Sequence, residues 1–308
     1  MPFRWLCTLG LVGCVALIAA PDRLVKIPVW MDPAAGQPAT KAGIRARLEG
    51  ASSTVLDVLG PEDDLMMLVV LDLSDDLALA QAAKDGLTEG IRKLPAHAYV
   101  AVLRAQDGLR VLTDPTTDRE QSAQAIAELP VSGKAGFLDT IETMEELGDS
   151  ILSKAAVRVA VLYITDSDIK NYRQDYTNPV INSSDSHDLS RKFPEALIQD
   201  KVSRLSDRLA FRQTPLFLVH LRDRSDRLNK AYQNGVQQLA QVTGGSSVFC
   251  RSSTEIPGAI HHMLQIIASH YSVTLAVPEH AGKSVQVQLE ADGERRLSYR
   301  TRIVLHGR

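Results

Sequence analysis

The sequence predicts an α/β protein: a doubly wound, mostly parallel sheet with helices on both faces, plus a small all-β module assembled from the two ends of the chain. Three observations carry this. From Leu65 onward, strand-length apolar runs alternate with segments of helical periodicity, as crossover connections between parallel strands require. The runs "LMMLVVLDL" and "VRVAVLYIT" are continuously apolar, which marks strands covered on both faces. The two flanks read instead as short strands with alternating polarity.

Residues 1–20 carry Arg4 and then an apolar stretch rich in small residues over 6–20, with polar chain resuming at Asp22. This is the pattern of an export signal with Ala19 or Ala20 at the cleavage point, and it is too short to span a bilayer comfortably, which takes ~20 residues. "LVGC", 11–14, resembles a bacterial lipoprotein box and is the rival reading; a buried N-terminal helix is the third. The expected location is therefore outside the cytoplasm, in the periplasm, at the cell surface or beyond it, with peripheral membrane or envelope association compatible with either signal. Once the signal is gone only Cys250 remains, so no internal disulfide forms and an ordinary core must hold the fold. The 308 residues, 44% of them hydrophobic, suffice for that core. A formal net charge of -3 and 5% aromatic residues argue against a nucleic-acid partner, which needs a basic surface and rings for stacking.

The mature chain opens with candidate strands at 24–30, 44–50 and 53–59. A strand at 65–73 begins the central domain, followed by a helix over 76–94 whose apolar positions are Leu77, Ala80, Ala83, Leu87 and Ile91. Strands at 98–105 and 109–113 flank an Asp107-Gly108 turn. Helices follow at 117–129 and 137–153, a buried strand at 157–165, and a long polar segment, 169–195. Beyond it come a helix at 189–211, a strand at 215–221, a helix at 225–242, the edge strand "SSVFC" and a helix at 254–270. The tail supplies strands at 271–278, 284–291 and 296–305, with turns at Ala281-Gly282 and Asp292-Gly293. The expected divisions are a signal over 1–20, an N-terminal β segment over 21–60, the α/β domain over 61–270 and a β tail over 271–308 that packs with the N-terminal segment.

In open parallel sheets, ligands bind outside the carboxyl ends of the strands. Two acidic groups fall there: Asp72-Leu73-Ser74-Asp75-Asp76 after the first buried strand, and Asp166 with Asp168 in "YITDSDI" after another. Side-chain oxygens at the first, third and fifth positions of such a loop can converge on one spot and suit a hard divalent cation. The plain alternative is helix capping by Asp72 and Asp76, with Asp75 facing solvent.

The order strand, "DLSDD", helix, two strands, helix, "GKAGFLDTI", strand, "TDSD" over about 61–270 resembles the von Willebrand factor type A domain and its metal-ion-dependent adhesion site, a Rossmann-like fold. The tail resembles that of bacterial exported proteins carrying a related domain. The resemblance implies a non-enzymatic protein-binding module. It also implies a Mg²⁺ site, or one for Ca²⁺ or Mn²⁺, with Asp72, Ser74, Asp76 and Asp166 as ligands and Asp168 behind them. The site is degenerate: Asp76 stands where the family has serine, and Ala135 stands where it has threonine. Asp76 adds negative charge near the ion, whereas the ammonium of Lys134 is placed to neutralise the cluster in its stead. The expected partner is another protein, and the segment 169–195, with Tyr172, Arg173, Tyr176 and His187, is either its recognition surface or a surface insertion. Two alternatives belong to other classes: a metal-dependent hydrolase using the same carboxylates, and a structural envelope component whose ion site is vestigial. Against the hydrolase, no paired nucleophile, base or oxyanion donor stands out. The "RDRSDR" cluster at 222–227 reads as a solvated loop and helix start.

Overall fold

Where the apolar pattern alternates, the chain forms antiparallel strands; where it is continuous, it forms buried parallel ones. The computed structural model describes residues 23–31, 40–176, 194–278, 281–293 and 296–305, with side chains at 173–176 and 194–197 set aside. In chain order the elements are β1 (Leu24–Met31), β2 (Ile44–Leu48), β3 (Ala51–Ser53), β4 (Val55–Leu59), β5 (Leu65–Asp72), α1 (Leu77–Arg92), β6 (Ala98–Arg104), β7 (Arg110–Thr116), α2 (Arg119–Glu128), α3 (Phe137–Lys154) and β8 (Arg158–Thr165). Then come α4 (Ile169–Tyr176), α5 (Pro194–Leu209), β9 (Leu216–His220), α6 (Arg227–Thr243), β10 (Ser247–Phe249), α7 (Ile256–Ser269), β11 (Tyr271–Ala276), β12 (Ser284–Ala291), β13 (Leu297–Tyr299) and β14 (Arg302–Val304).

The central sheet runs β10-β9-β8-β5-β6-β7, parallel except for β7. Along β5, Leu65, Met67, Val69 and Leu71 face a core shared with α1 and α7, while Leu68 and Val70 face one shared with α3, α5 and α6. Both faces are covered, which is why the run is apolar without alternation. The chain leaves β5 for β6 on one side and later returns to β8 on the other. The strand order therefore reverses between β5 and β8, and a crevice opens at their carboxyl ends. Asp72 and Asp166 both lie at that reversal.

The flanks form two antiparallel four-stranded sheets, β13-β1-β11-β4 and β14-β12-β2-β3. They share one core, with Ile27, Leu48, Val273, Val285 and Ile303 among its members. Two expected strands divide. The segment 53–59 breaks at Thr54 and 296–305 breaks at Arg300, and in each case the halves join different sheets. Alternation alone does not reveal a change of sheet, because the residues that face the shared core, Val55 and Val58 in one segment and Leu297, Tyr299 and Ile303 in the other, do not mark where one sheet ends and the next begins. The α/β body meets this sandwich through Trp30, whose indole N–H donates to Ile266 O at 2.9 Å and whose ring packs edge-on against Phe217.

One buried group opposes the fold. Glu145 on α3 has no exposure, and among the described residues neither of its carboxyl oxygens has a hydrogen-bond partner. Burial first, and Asp149 second, push its pKa well above the ordinary 4.5, with Arg212 pulling the other way. The folded protein therefore keeps a proton that the unfolded chain releases, and stability from this group declines as pH rises past the ordinary glutamate value. Glu145→Leu is expected to stabilise the protein by about 1–3 kcal/mol at neutral pH. The gain should shrink towards about pH 4, where the unfolded chain also holds the proton. Urea unfolding across that range checks both.

Candidate functional site at the carboxyl edge

The parallel register sets Asp72 opposite Thr165, so the loop after β5 and the loop after β8 touch. Asp72 is fully buried. Its Oδ1 accepts from Gly136 N at 2.9 Å, and its Oδ2 accepts from Phe137 N and Thr165 Oγ1, both at 3.1 Å. Asp72 thus caps α3, the middle helix, rather than the helix that follows it in sequence. Gly136 is needed at this approach, because a Cβ there would lie 2.0 Å from Ala105 O. Ala135 is buried beside it and has no side-chain oxygen to contribute. Burial, partly offset by the Gly136 N–H and Thr165 hydroxyl, pushes the Asp72 carboxyl up to about 6; the Asp166 charge adds to the rise.

Asp166 organises the other loop. Its Oδ1 accepts from Ser74 N at 2.8 Å and Ser74 Oγ at 3.3 Å; its Oδ2 accepts from Asp75 N at 2.9 Å and Asp76 N at 3.1 Å. Three successive main-chain N–H groups and a hydroxyl therefore converge on one carboxylate. Asp76 caps α1 through Ala78 N and Leu79 N, and its second oxygen receives the guanidinium of Arg222. The Leu79 N–H leads the groups that hold its pKa below the usual range. Asp75 is exposed.

Behind this rim lies a polar cluster that the sequence did not disclose. Ser167 Oγ meets Thr165 Oγ1 at 2.7 Å and Tyr232 Oη at 3.0 Å. His220 is buried; its Nδ1 accepts from Arg222 N at 3.2 Å, so its Nε2 carries the proton and donates to Ser167 O at 2.8 Å. Burial lowers its pKa, in keeping with a neutral ring. Asp168 accepts from Lys170 N at 2.7 Å, and Arg224 Nη2 stands 2.9 Å from its other oxygen without the alignment of a hydrogen bond.

Several expectations need correction. Tyr172 is not on a recognition surface: it is fully buried, its hydroxyl accepting from Leu138 N at 3.3 Å and its ring packed near Tyr232. The reason is α4, which occupies 169–176 where a loop was expected and turns Ile169 and Tyr172, three residues apart, towards the core. Arg173 and Tyr176 fall on α4 with side chains outside the described residues, and His187 lies outside them altogether. Lys134 is exposed, and its main chain is clamped by Asp107, which accepts from Lys134 N at 2.8 Å. The cations set against Asp76 and Asp168 are Arg222 and Arg224 from the loop after β9. The missed signal was position: "RDRSD" follows the strand adjacent to β8 and so emerges at the same edge.

A divalent ion of the kind the family resemblance implies needs oxygens free to face it. Here both oxygens of Asp72, of Asp166 and of Asp76 are engaged by donors, and Ala135 supplies no side-chain oxygen. Among the described residues no group of three or more His, Cys, Asp or Glu side chains is placed to hold a metal. The donor set, as arranged, does not fit the ion.

No family model and no curated protein matches the chain. Solved structures do. The chain is similar to a von Willebrand factor type A protein from Catenulispora acidiphila, at 11% identity over 92% of this chain and 75% of that one, with a TM-score of 0.46. It is also similar to the PilB minor pilin from Streptococcus sanguinis, at 10% identity over 77% and 63%, TM-score 0.48. A third is the von Willebrand factor domain of the type V pili tip protein Mfa5 from Porphyromonas gingivalis, at 11% identity over 67% and 95%, TM-score 0.44.

Proposed function

We propose that this chain is an exported, non-enzymatic protein-binding module whose contact face is the carboxyl edge of the central sheet. The observation that carries this is Leu77. It opens α1 directly after the acidic loop and is 72% exposed, beside exposed Asp75 and half-exposed Arg222. An apolar side chain held out by a capped helix start, with Asp75, Asp76 and Arg222 close by, offers an apolar centre with a charged margin to a protein partner. The polar groups behind it serve the fold: His220 has both ring nitrogens engaged by main chain, and Cys250 is buried with its thiol pushed up to about 11. Neither is a nucleophile or base presented to a substrate. Among the described residues no helix is long and apolar enough to cross a membrane, and export rests on the 1–20 pattern.

The test is cross-linking in whole cells followed by capture from envelope extracts, comparing wild type with Leu77→Asp. The partner captured by wild type should be lost with Leu77→Asp at unchanged melting temperature. A partner that survives Leu77→Asp, but is lost on substituting Val111 at the sheet's far edge, would move the contact elsewhere. Sequencing the mature N-terminus checks export: it should begin near residue 20 or 21, and an intact N-terminus in the cytosol would contradict it.

A further inference from the structure

We infer that the carboxyl edge is closed to divalent cations by its own arginines, so that the site is built to work without metal. This deepens the proposed function and rests on the same face being the contact. Four acidic side chains at one rim need hydrogen-bond donors or positive charge nearby, since each buried or half-buried carboxylate costs free energy unless it is paired or hydrogen-bonded. In this chain that need is met from within. Asp72 spends its oxygens on Gly136 N, Phe137 N and Thr165 Oγ1. Asp166 spends its oxygens on the loop 74–76. Asp76 gives one oxygen to the start of α1 and the other to Arg222, and Asp168 has Arg224 beside it.

The two arginines are delivered by a rigid segment. Leu221 N donates to Thr165 O at 2.9 Å, Arg222 N to His220 Nδ1 at 3.2 Å and Asp223 N to Cys250 O at 2.7 Å, while Asp226 caps α6. The loop is therefore tied to the strands on both sides of β9 before either guanidinium reaches its carboxylate. A guanidinium carried by the chain and so positioned need not be recruited from solution. An ion entering here would have to displace Arg222 from Asp76 and break the N–H bonds that shape the 74–76 loop. It would also find no side-chain oxygen at Ala135.

The experiment is calorimetry on the exported chain in EDTA and then in millimolar Mg²⁺, Mn²⁺ or Ca²⁺. Wild type should melt within about 1 °C in all four, whereas an ion bound well above its dissociation constant would raise the midpoint by roughly 5 °C or more. Such a rise with any of the three overturns the inference. Arg222→Ala should melt about 1–2 °C lower in EDTA and recover in Mn²⁺, because Asp76 then has an oxygen to offer. An Arg222→Ala protein as stable as wild type in EDTA, or one indifferent to Mn²⁺, equally overturns it. A partner still captured by Leu77→Asp, alongside indifference to metal, would sink the proposed face alone and leave the arginine closure standing.

Discussion

Asp72→Ala is expected to lower the free energy of unfolding by about 3–5 kcal/mol, in EDTA and in Mg²⁺ alike. The substitution leaves Gly136 N–H, Phe137 N–H and the Thr165 hydroxyl without their acceptor in a site from which water is excluded. Each orphaned buried donor costs about 1–3 kcal/mol, and the hydroxyl can turn to recover part of its share. Asp72→Asn should cost less, since one oxygen still accepts and its amide can donate to Thr165; only the Phe137 N–H must lose its partner. Asp76→Ala removes a half-exposed cap and is expected to cost about 1 kcal/mol. The ranking, read from urea midpoints, should place Asp72→Ala as the most damaging, Asp72→Asn between, and Asp76→Ala as the mildest. That order separates a structural cap from a metal ligand. If Mg²⁺ stabilised wild type alone, the loss at Asp72 would grow with metal, and the capping account would fail.

The meeting of Asp72 and Asp166 was legible because it follows from backbone periodicity. Two continuous apolar runs in a parallel sheet both end in acids, and their carboxyl ends lie on one edge. What those acids bind was not legible, because it depends on where side chains point in loops. Asp72 reaches 64 residues along the chain to Gly136, and nothing in "DLSDD" distinguishes a helix cap from an ion ligand. Thr165 and Ser167 sit within "YITDSDI" but look there like strand end and spacer. Arg222 was hidden in a charge cluster whose surface-like composition masked its place beside β8. Tyr172 fails for the opposite reason: α4 is polar enough to read as loop, and two apolar positions three apart are too few to announce a helix. The flanking sandwich was visible as alternation, yet the two sheet changes were not, since polarity along a strand does not say which neighbour it pairs with.

Arg158→Met should cost about 3–5 kcal/mol, and Arg158→Lys roughly half as much. Arg158 opens β8 with no exposure of its own, and its guanidinium donates to four carbonyls. Nη1 reaches Ala268 O at 2.8 Å and His270 O at 3.0 Å; Nη2 reaches Pro61 O at 2.9 Å and Asp63 O at 2.7 Å. Those carbonyls belong to the two places where the chain crosses between the sandwich and the α/β body, 60–64 on the way in and 268–270 on the way out. Burial brings its pKa down to about 10, opposed by the charges of Asp63, Glu62 and Asp64, so it stays protonated at neutral pH. A planar fork serves two carbonyl pairs on opposite sides at once. A lysine ammonium has three donors at a single point and must abandon one crossing. Methionine fills the volume and abandons both. Because Trp30 packs across the same seam, its fluorescence in the chain lacking residues 1–20 reports the junction. With Arg158→Met, the Trp30 transition should come at lower urea than the loss of far-ultraviolet ellipticity, whereas wild type should lose both together. Coincident transitions at the wild-type midpoint would mean that the two crossings hold without this side chain.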